Sequence, residues 1–193
     1  MNVELNGLIE GFSGLNGNVV FRTLKDGRVI MAKRPRKYDK TEHQRKTGNR
    51  MVQAYRIAED IIANDPARVA VYEVYAAKKS RSVKQAIAMD ILSKPKIPSI
   101  KWMVYNGLKP GDLLGIEAFD DHQVVSVNVS ILDNGTSLET GEALQQDFSV
   151  EYMYELQTAG IPATAEVLVQ VTDYAGNVTR KLYQADSIPL FIA

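Results

Sequence analysis

The 193 residues include no cysteine. That absence excludes a disulfide framework, a thiolate zinc site and a cysteine nucleophile, so any β-sandwich in the chain must be held by its core alone. Histidine is nearly absent as well. Neither His43 nor His122 stands beside a serine and aspartate in an arrangement that would suggest a catalytic triad. His43 falls inside a helix-capping motif, and the ordinary account of both histidines is a solvated side chain. No stretch reaches the roughly 18 apolar residues typical of a membrane-spanning helix. The first residues, MNVELNGLIEGFSGLNGNVVFRTL, place acids and glycines where an export signal has basic residues and an unbroken apolar run. The expected setting is therefore cytoplasmic or within a virion or other assembly, with no secretion signal. Gly7, Gly11, Gly14 and Gly17 lack the Lys-Ser/Thr ending of a phosphate-binding loop and are read as structural. No cofactor, metal or catalytic residue is expected, and the chain is read as non-enzymatic.

What is present fits a folded protein, with 45% hydrophobic and 24% charged residues. The formal net charge of zero conceals a division. Residues 1–95 carry 18 Lys/Arg against 10 Asp/Glu, a net +8, whereas residues 96–193 carry 5 against 13, a net −8. Such asymmetry points to an acidic partner for the first half: nucleic acid, another protein, or the acidic half of a neighbouring copy.

Local patterns divide the chain in the same place. Asn18–Leu24 and Arg28–Lys33 are β-rich runs around Lys25-Asp26-Gly27, which predicts a β-hairpin, and Pro35 ends it because proline cannot donate to a ladder. Thr41-Glu-His-Gln44 has the form of a capping box. Met51, Ala54, Tyr55, Ala58, Ile61 and Ile62 then recur at helical spacing. Asp65-Pro66 starts a second helix carrying Val69, Tyr72, Val74, Tyr75 and Ala76, and Ser82-Val-Lys-Gln85 starts a third that runs to Pro95. From Pro98 the period becomes two. Strands are expected at 100–105, 113–118, 124–131, 148–154, 166–171 and 178–183, with a weaker one around Ser137–Glu139. Turn residues at Lys109–Asp112, Asp133–Gly135 and Asp173–Asn177 separate them. The predicted fold is α+β: a basic hairpin and three-helix bundle over 1–96, followed by an immunoglobulin-like β-sandwich over 97–193.

The strands at 113–131 with Phe119-Asp120-Asp121, the Asp133–Ala143 segment, and the Asp173-Tyr-Ala-Gly-Asn177 turn resemble the immunoglobulin-like modules of bacterial surface and phage proteins. The order Gly17-Asn-Val-Val-Phe-Arg22, Lys33-Arg-Pro35, Thr41-x-x-Gln44, Asp65-Pro66 and then this module resembles a family of uncharacterised bacterial and phage-associated proteins over nearly the whole chain. The resemblance implies the fold and carries no catalytic or ligand residues. The copy lacks the cysteine and core tryptophan pattern of antibody domains.

The candidate partner-binding residues are Arg22, Lys25, Arg28, Lys33, Arg34, Arg36, Lys37, Lys40, Arg45, Lys46 and Arg50, set against Asp26, Asp39 and Glu42. Protein partners, as a homo- or hetero-oligomer, are expected. Nucleic acid is the alternative, disfavoured because Tyr38 alone interleaves the cluster as a stacking residue and no zinc-finger, helix-turn-helix or RNA-binding signature is present. Asp120, Asp121, Asp173 and Asn177 lie in sandwich loops, where cation binding and ordinary turn closure both use such residues. Tyr72, Tyr75, Tyr152, Tyr154 and Trp102 are read as core and interface and not as a carbohydrate platform.

Overall fold

The computed structural model describes residues 14–16, 19–24, 27–33, 39–146 and 149–191. Contacts divide the chain into two compact units, Met1–Arg45 and Lys46–Ala193. The fold is α+β, with three α-helices and antiparallel sheets among the described residues.

In the first unit, β1 (Gly14–Asn16), β2 (Val19–Thr23) and β3 (Val29–Lys33) form an antiparallel sheet in the order β1-β2-β3. The register runs from Val19 opposite Lys33 to Thr23 opposite Val29. Gly27 adopts φ +81° at the connection, where its N–H reaches the Leu24 carbonyl at 3.0 Å, a conformation costly for any residue with a Cβ. Val19, Val20 and Phe21 are half-buried, while Ile30 and Met31 remain exposed. The helix start is capped reciprocally. The Thr41 N–H donates to Gln44 Oε1 at 3.0 Å and the Gln44 N–H donates to Thr41 Oγ1 at 3.3 Å, satisfying two amides that a helix end leaves orphaned.

The second unit contains most of α1 (Glu42–Asn64), all of α2 (Pro66–Lys78) and α3 (Val83–Leu92), and two four-stranded sheets. The buried face of α1 is narrower than its apolar periodicity predicts. Ala54, Ala58 and Ile61 are buried, but Met51 and Ile62 are exposed, as is Val74 on α2. Asp65 caps α2 by accepting from the Arg68 N–H at 2.9 Å, with Pro66 in the first turn. Ser82 Oγ caps α3 by accepting from the Gln85 N–H. Ala54, Ala58, Ile61, Tyr72, Ala76 and Ala86–Ala88 form one buried cluster, against which Tyr174 from the β region packs.

The strands are β4 (Lys96–Val104), β5 (Leu113–Phe119), β6 (Val124–Asp133), β7 (Thr136–Glu142), β8 (Leu144–Gln145), β9 (Glu151–Glu155), β10 (Glu166–Asp173) and β11 (Val178–Gln184). One sheet has the order β4-β5-β9-β8 and the other β11-β10-β6-β7. Both faces feed a single core, so this part is a β-sandwich. Its period-two logic is plain on β6 and β10, where Val127, Val129, Ile131, Val167, Val169 and Val171 are fully buried while alternate positions are not. Each such side chain contributes roughly 1.5–3 kcal/mol by leaving water. Trp102 is buried with its Nε1–H donating to the Ala185 carbonyl at 3.1 Å, and the chain returns beside it through Trp102 N–H to Pro189 O (2.8 Å) and Phe191 N–H to Trp102 O (2.7 Å).

Turn chemistry follows the sequence. Asn134 and Gly135 both have positive φ, as a two-residue hairpin connection between β6 and β7 requires. The fully buried Asp112 accepts from the Asn106 N–H at 2.7 Å and the Lys109 N–H at 3.1 Å, closing its loop. Several strand bounds differ from expectation, and β4 begins at Lys96, four residues before the expected start at residue 100. The weak run at 137–139 is part of a seven-residue strand held by pairing to β6, and β8 is a short strand that propensity does not announce. The described part of the run expected at 148–154 becomes strand at Glu151, and Phe148 lies outside the described residues.

Candidate functional site

Of the basic candidates in the first unit, Arg22 lies on β2, Arg28 just before β3, Lys33 at the end of β3, Lys40 before α1 and Arg45 on α1. All five are exposed. Arg45 Nε donates to the Lys40 carbonyl at 3.0 Å, which fixes the chain entering the helix. Lys46 and Arg50 are exposed on α1 in the second unit. Lys25, Arg34, Arg36, Lys37 and Tyr38 lie outside the described residues.

A second constellation, which periodicity does not disclose, forms where helices α2 and α3 meet the β6 and β10 ends of the sandwich. Asp90 on α3 is buried, and Tyr72 on α2 donates its hydroxyl to Asp90 Oδ2 at 2.5 Å. Asn177 binds across the same junction: its Nδ2 donates to the Asp90 carbonyl (3.0 Å), the Ser93 carbonyl (2.6 Å) and Asp173 Oδ2 (2.9 Å), while its backbone N–H donates to Asp173 Oδ1 (2.7 Å). The predicted turn residues Asp173 and Asn177 are therefore not only closing a turn. They tie the last helix to the sandwich.

His122 is not the solvated side chain its sequence context suggests. It is half-buried, with ring centroids 4.4 Å from Tyr75, 5.0 Å from Tyr72 and 5.3 Å from Tyr174. Its backbone N–H donates to Asp120 Oδ2 at 3.0 Å. His43, by contrast, is exposed on α1. Arg68 closes the cage by donating to the Tyr174 carbonyl at 2.9 Å and lying 5.6 Å from that ring. Three side-chain atoms here are buried without a partner: Asp90 Oδ1, Asp120 Oδ1 and His122 Nε2.

Electrostatics follow from this crowding. Burial pushes the Asp90 carboxyl up to about 7; the Tyr72 hydroxyl acts against that, and the nearby Asp120 and Asp173 charges add to it. Burial also raises Asp173, against the bonds donated by Asn177, and lowers His122, against the pull of Asp120 and Asp173. Tyr72 is raised by burial and by its bond to Asp90. The junction therefore favours the protonated form of Asp90 up to near neutral pH. Among the described residues no group of three His, Cys, Asp or Glu side chains is placed to hold a metal ion, Asp120, Asp121 and Asp173 included. Tyr72, Tyr152, Tyr154 and Trp102 are all buried, and Tyr75 is half-buried.

The third feature is an open groove of about 480 Å³ between the end strands of the two sheets, β7 and β8, reaching β9 and Leu113 of β5. Its floor carries Tyr154, whose hydroxyl donates to Glu139 Oε1 at 2.6 Å. Burial alone would raise the Glu139 carboxyl, but this bond and those from the Gln157 and Thr158 N–H groups (2.9 and 2.8 Å) outweigh it and hold Glu139 below the ordinary carboxylate range. A Cβ at Gly141 would come within 2.7 Å of Tyr154 Cε2, so glycine is what lets that ring lie across β7. Glu142, Leu144 and Glu155 line the groove and are exposed.

No family model matches the chain, and no curated protein matches it. A solved structure, the crystal structure of an engineered protein, is similar over 52% of this chain and 20% of its own length at 16% identity and a TM-score of 0.36, a likeness too slight to bear on fold or function.

Proposed function

We propose that this chain is a non-enzymatic assembly protein, of a phage particle or a related bacterial multi-protein machine, that docks through its basic first part and presents an acidic sandwich. One observation carries the reading. Strand β3 exposes Ile30 (45%) and Met31 (69%) beside the exposed cations Arg22 and Lys33. A small sheet with exposed apolar and cationic side chains is suited to burial against an acidic surface.

An immunoglobulin-like topology for the sandwich is part of the proposal. Counting from β4, the orders β4-β5-β9-β8 and β11-β10-β6-β7 correspond to the A-B-E-D and G-F-C-C′ arrangement of that fold, which supports it. Residues 1–96 and 97–193 are proposed as separate folding parts, a reading supported by the sandwich core, which runs from Ile97 to Ile188 and takes no residue from α1, α2 or α3. No helix of the described residues is long and apolar enough to cross a membrane.

The test replaces Arg34, Arg36 and Lys37 with alanine in the full chain. A protein partner, including another copy, predicts a lower oligomer mass with no nucleic acid present. Nucleic acid as partner predicts instead that binding to unrelated duplexes falls steeply with salt and loses slope in the variant. That second result, from a chain that stays monomeric at high concentration, overturns the assembly reading.

A further inference from the structure

The groove between β7 and β8 combines three properties. Its walls belong to the terminal strands of both sheets, so it lies along backbone edges that the sandwich itself does not cover. Its lining is apolar at Leu113, Leu144 and Met153, with Leu144 70% exposed. Its rim is acidic, with Glu142 and Glu155 exposed and Glu139 held ionised by its three donors.

The chain also carries a segment of the opposite character. Strand β3 is the end strand of its own sheet, exposes Ile30 and Met31, and ends on Lys33. Met31 and Lys33, two residues apart, share one face of β3, while Ile30 and its partner Arg22 on β2 lie on the other. On that face an apolar side chain, Met31, beside a cation, Lys33, complements the groove in both respects, and an end strand beside an end strand can extend a ladder through backbone hydrogen bonds.

Resting on the assembly reading above, we infer that the β7–β8 groove is the receptor for strand β3 of a second copy of this chain. Met31 covers Leu144 and Met153, and Lys33 meets Glu142 and Glu155. Because groove and strand are different surfaces, the contact is head-to-tail, and repeated copies form a ring or an open filament according to whether the rotation closes.

Sedimentation of full-length protein tests this with three samples: wild type, E142K/E155K and K33E. The substituted residues are exposed, and melting curves establish that each variant is folded. Wild type is expected to self-associate. Each variant alone is expected to associate on the order of tenfold more weakly or less, since the opposed charges become repulsive. The equimolar mixture is expected to recover co-assembly, because the intact strand of one meets the intact groove of the other and the two reversed surfaces again carry opposite charges. Wild-type self-association that persists unchanged in E142K/E155K overturns the groove assignment while leaving the assembly reading standing. The same holds if the two variants fail to pair. A wild type that remains monomeric at the highest attainable concentration overturns the groove assignment too, and in that case self-assembly falls with it.

Discussion

Replacing Asp90 by asparagine probes the buried junction between α3 and the sandwich. Asparagine keeps the shape of a protonated aspartate without the charge, and its oxygen can still accept from Tyr72. The wild-type carboxyl has its folded pKa raised from 3.8 to about 7. A raised carboxyl contributes stability that is complete below the unfolded value and is lost as pH rises through the folded one. The shift of roughly three units corresponds to about 4 kcal/mol in all, or about 1.4 kcal/mol per pH unit between pH 5 and 7. D90N should therefore gain roughly 2–3 kcal/mol relative to wild type between pH 5 and pH 8. His122, whose lowered pKa opposes this trend as pH falls below its unfolded value, is common to both proteins and drops out of the difference, as do Asp120 and Asp173 to first order. Urea unfolding at pH 5, 6, 7 and 8 supplies the comparison. Parallel stability curves, with D90N offset by the same amount at every pH, would show that Asp90 is ionised throughout and that the junction does not hold a proton.

Three further outcomes are expected. Gly176→Val should cost about 1–3 kcal/mol, because Gly176 has φ +90° in the Asp173–Asn177 turn and a β-branched residue resists that region; an unchanged melting temperature contradicts the turn account. Gly141→Ala should cost about 1–3 kcal/mol and displace Tyr154 from Glu139, seen as a rise in the Glu139 pKa by NMR titration, since the added Cβ has no room against the ring. A fragment of residues 97–193 should unfold cooperatively with β-type circular dichroism, because its buried cluster is complete within it; a fragment without a transition would mean that the helices and sandwich share one folding unit.

Much of the architecture is legible in the residues themselves. Thr41 and Gln44 announce α1, Asp65-Pro66 announces α2, and the alternation through Val124–Ile131 and Glu166–Val171 announces two strands, because capping and period-two burial are local physics. Tertiary pairing settles what local preference leaves open. Thr136–Glu142 has little strand propensity and is extended because β6 supplies a ladder for it. The Asp90–Tyr72–Asn177 junction was illegible for a similar reason. Asp90 and Asn177 are 87 residues apart, and an aspartate inside a short apolar helix reads as an ordinary turn of that helix until its burial is seen. The one available hint was that Asp90 interrupts Ala86–Leu92, where a purely structural helix would carry another apolar residue. His122 was misread because its three tyrosine neighbours come from two distant segments.

The claim that the basic part of the chain docks on an acidic protein surface is tested most directly by the native mass of the purified wild-type protein, measured by light scattering with absorbance at 260 and 280 nm, at low and at high salt. The account predicts a multiple of the chain mass at low salt, a fall towards the monomer as salt screens the opposed charges, and a protein-like absorbance ratio at both. A monomer at every salt and concentration that carries or captures random DNA would contradict it.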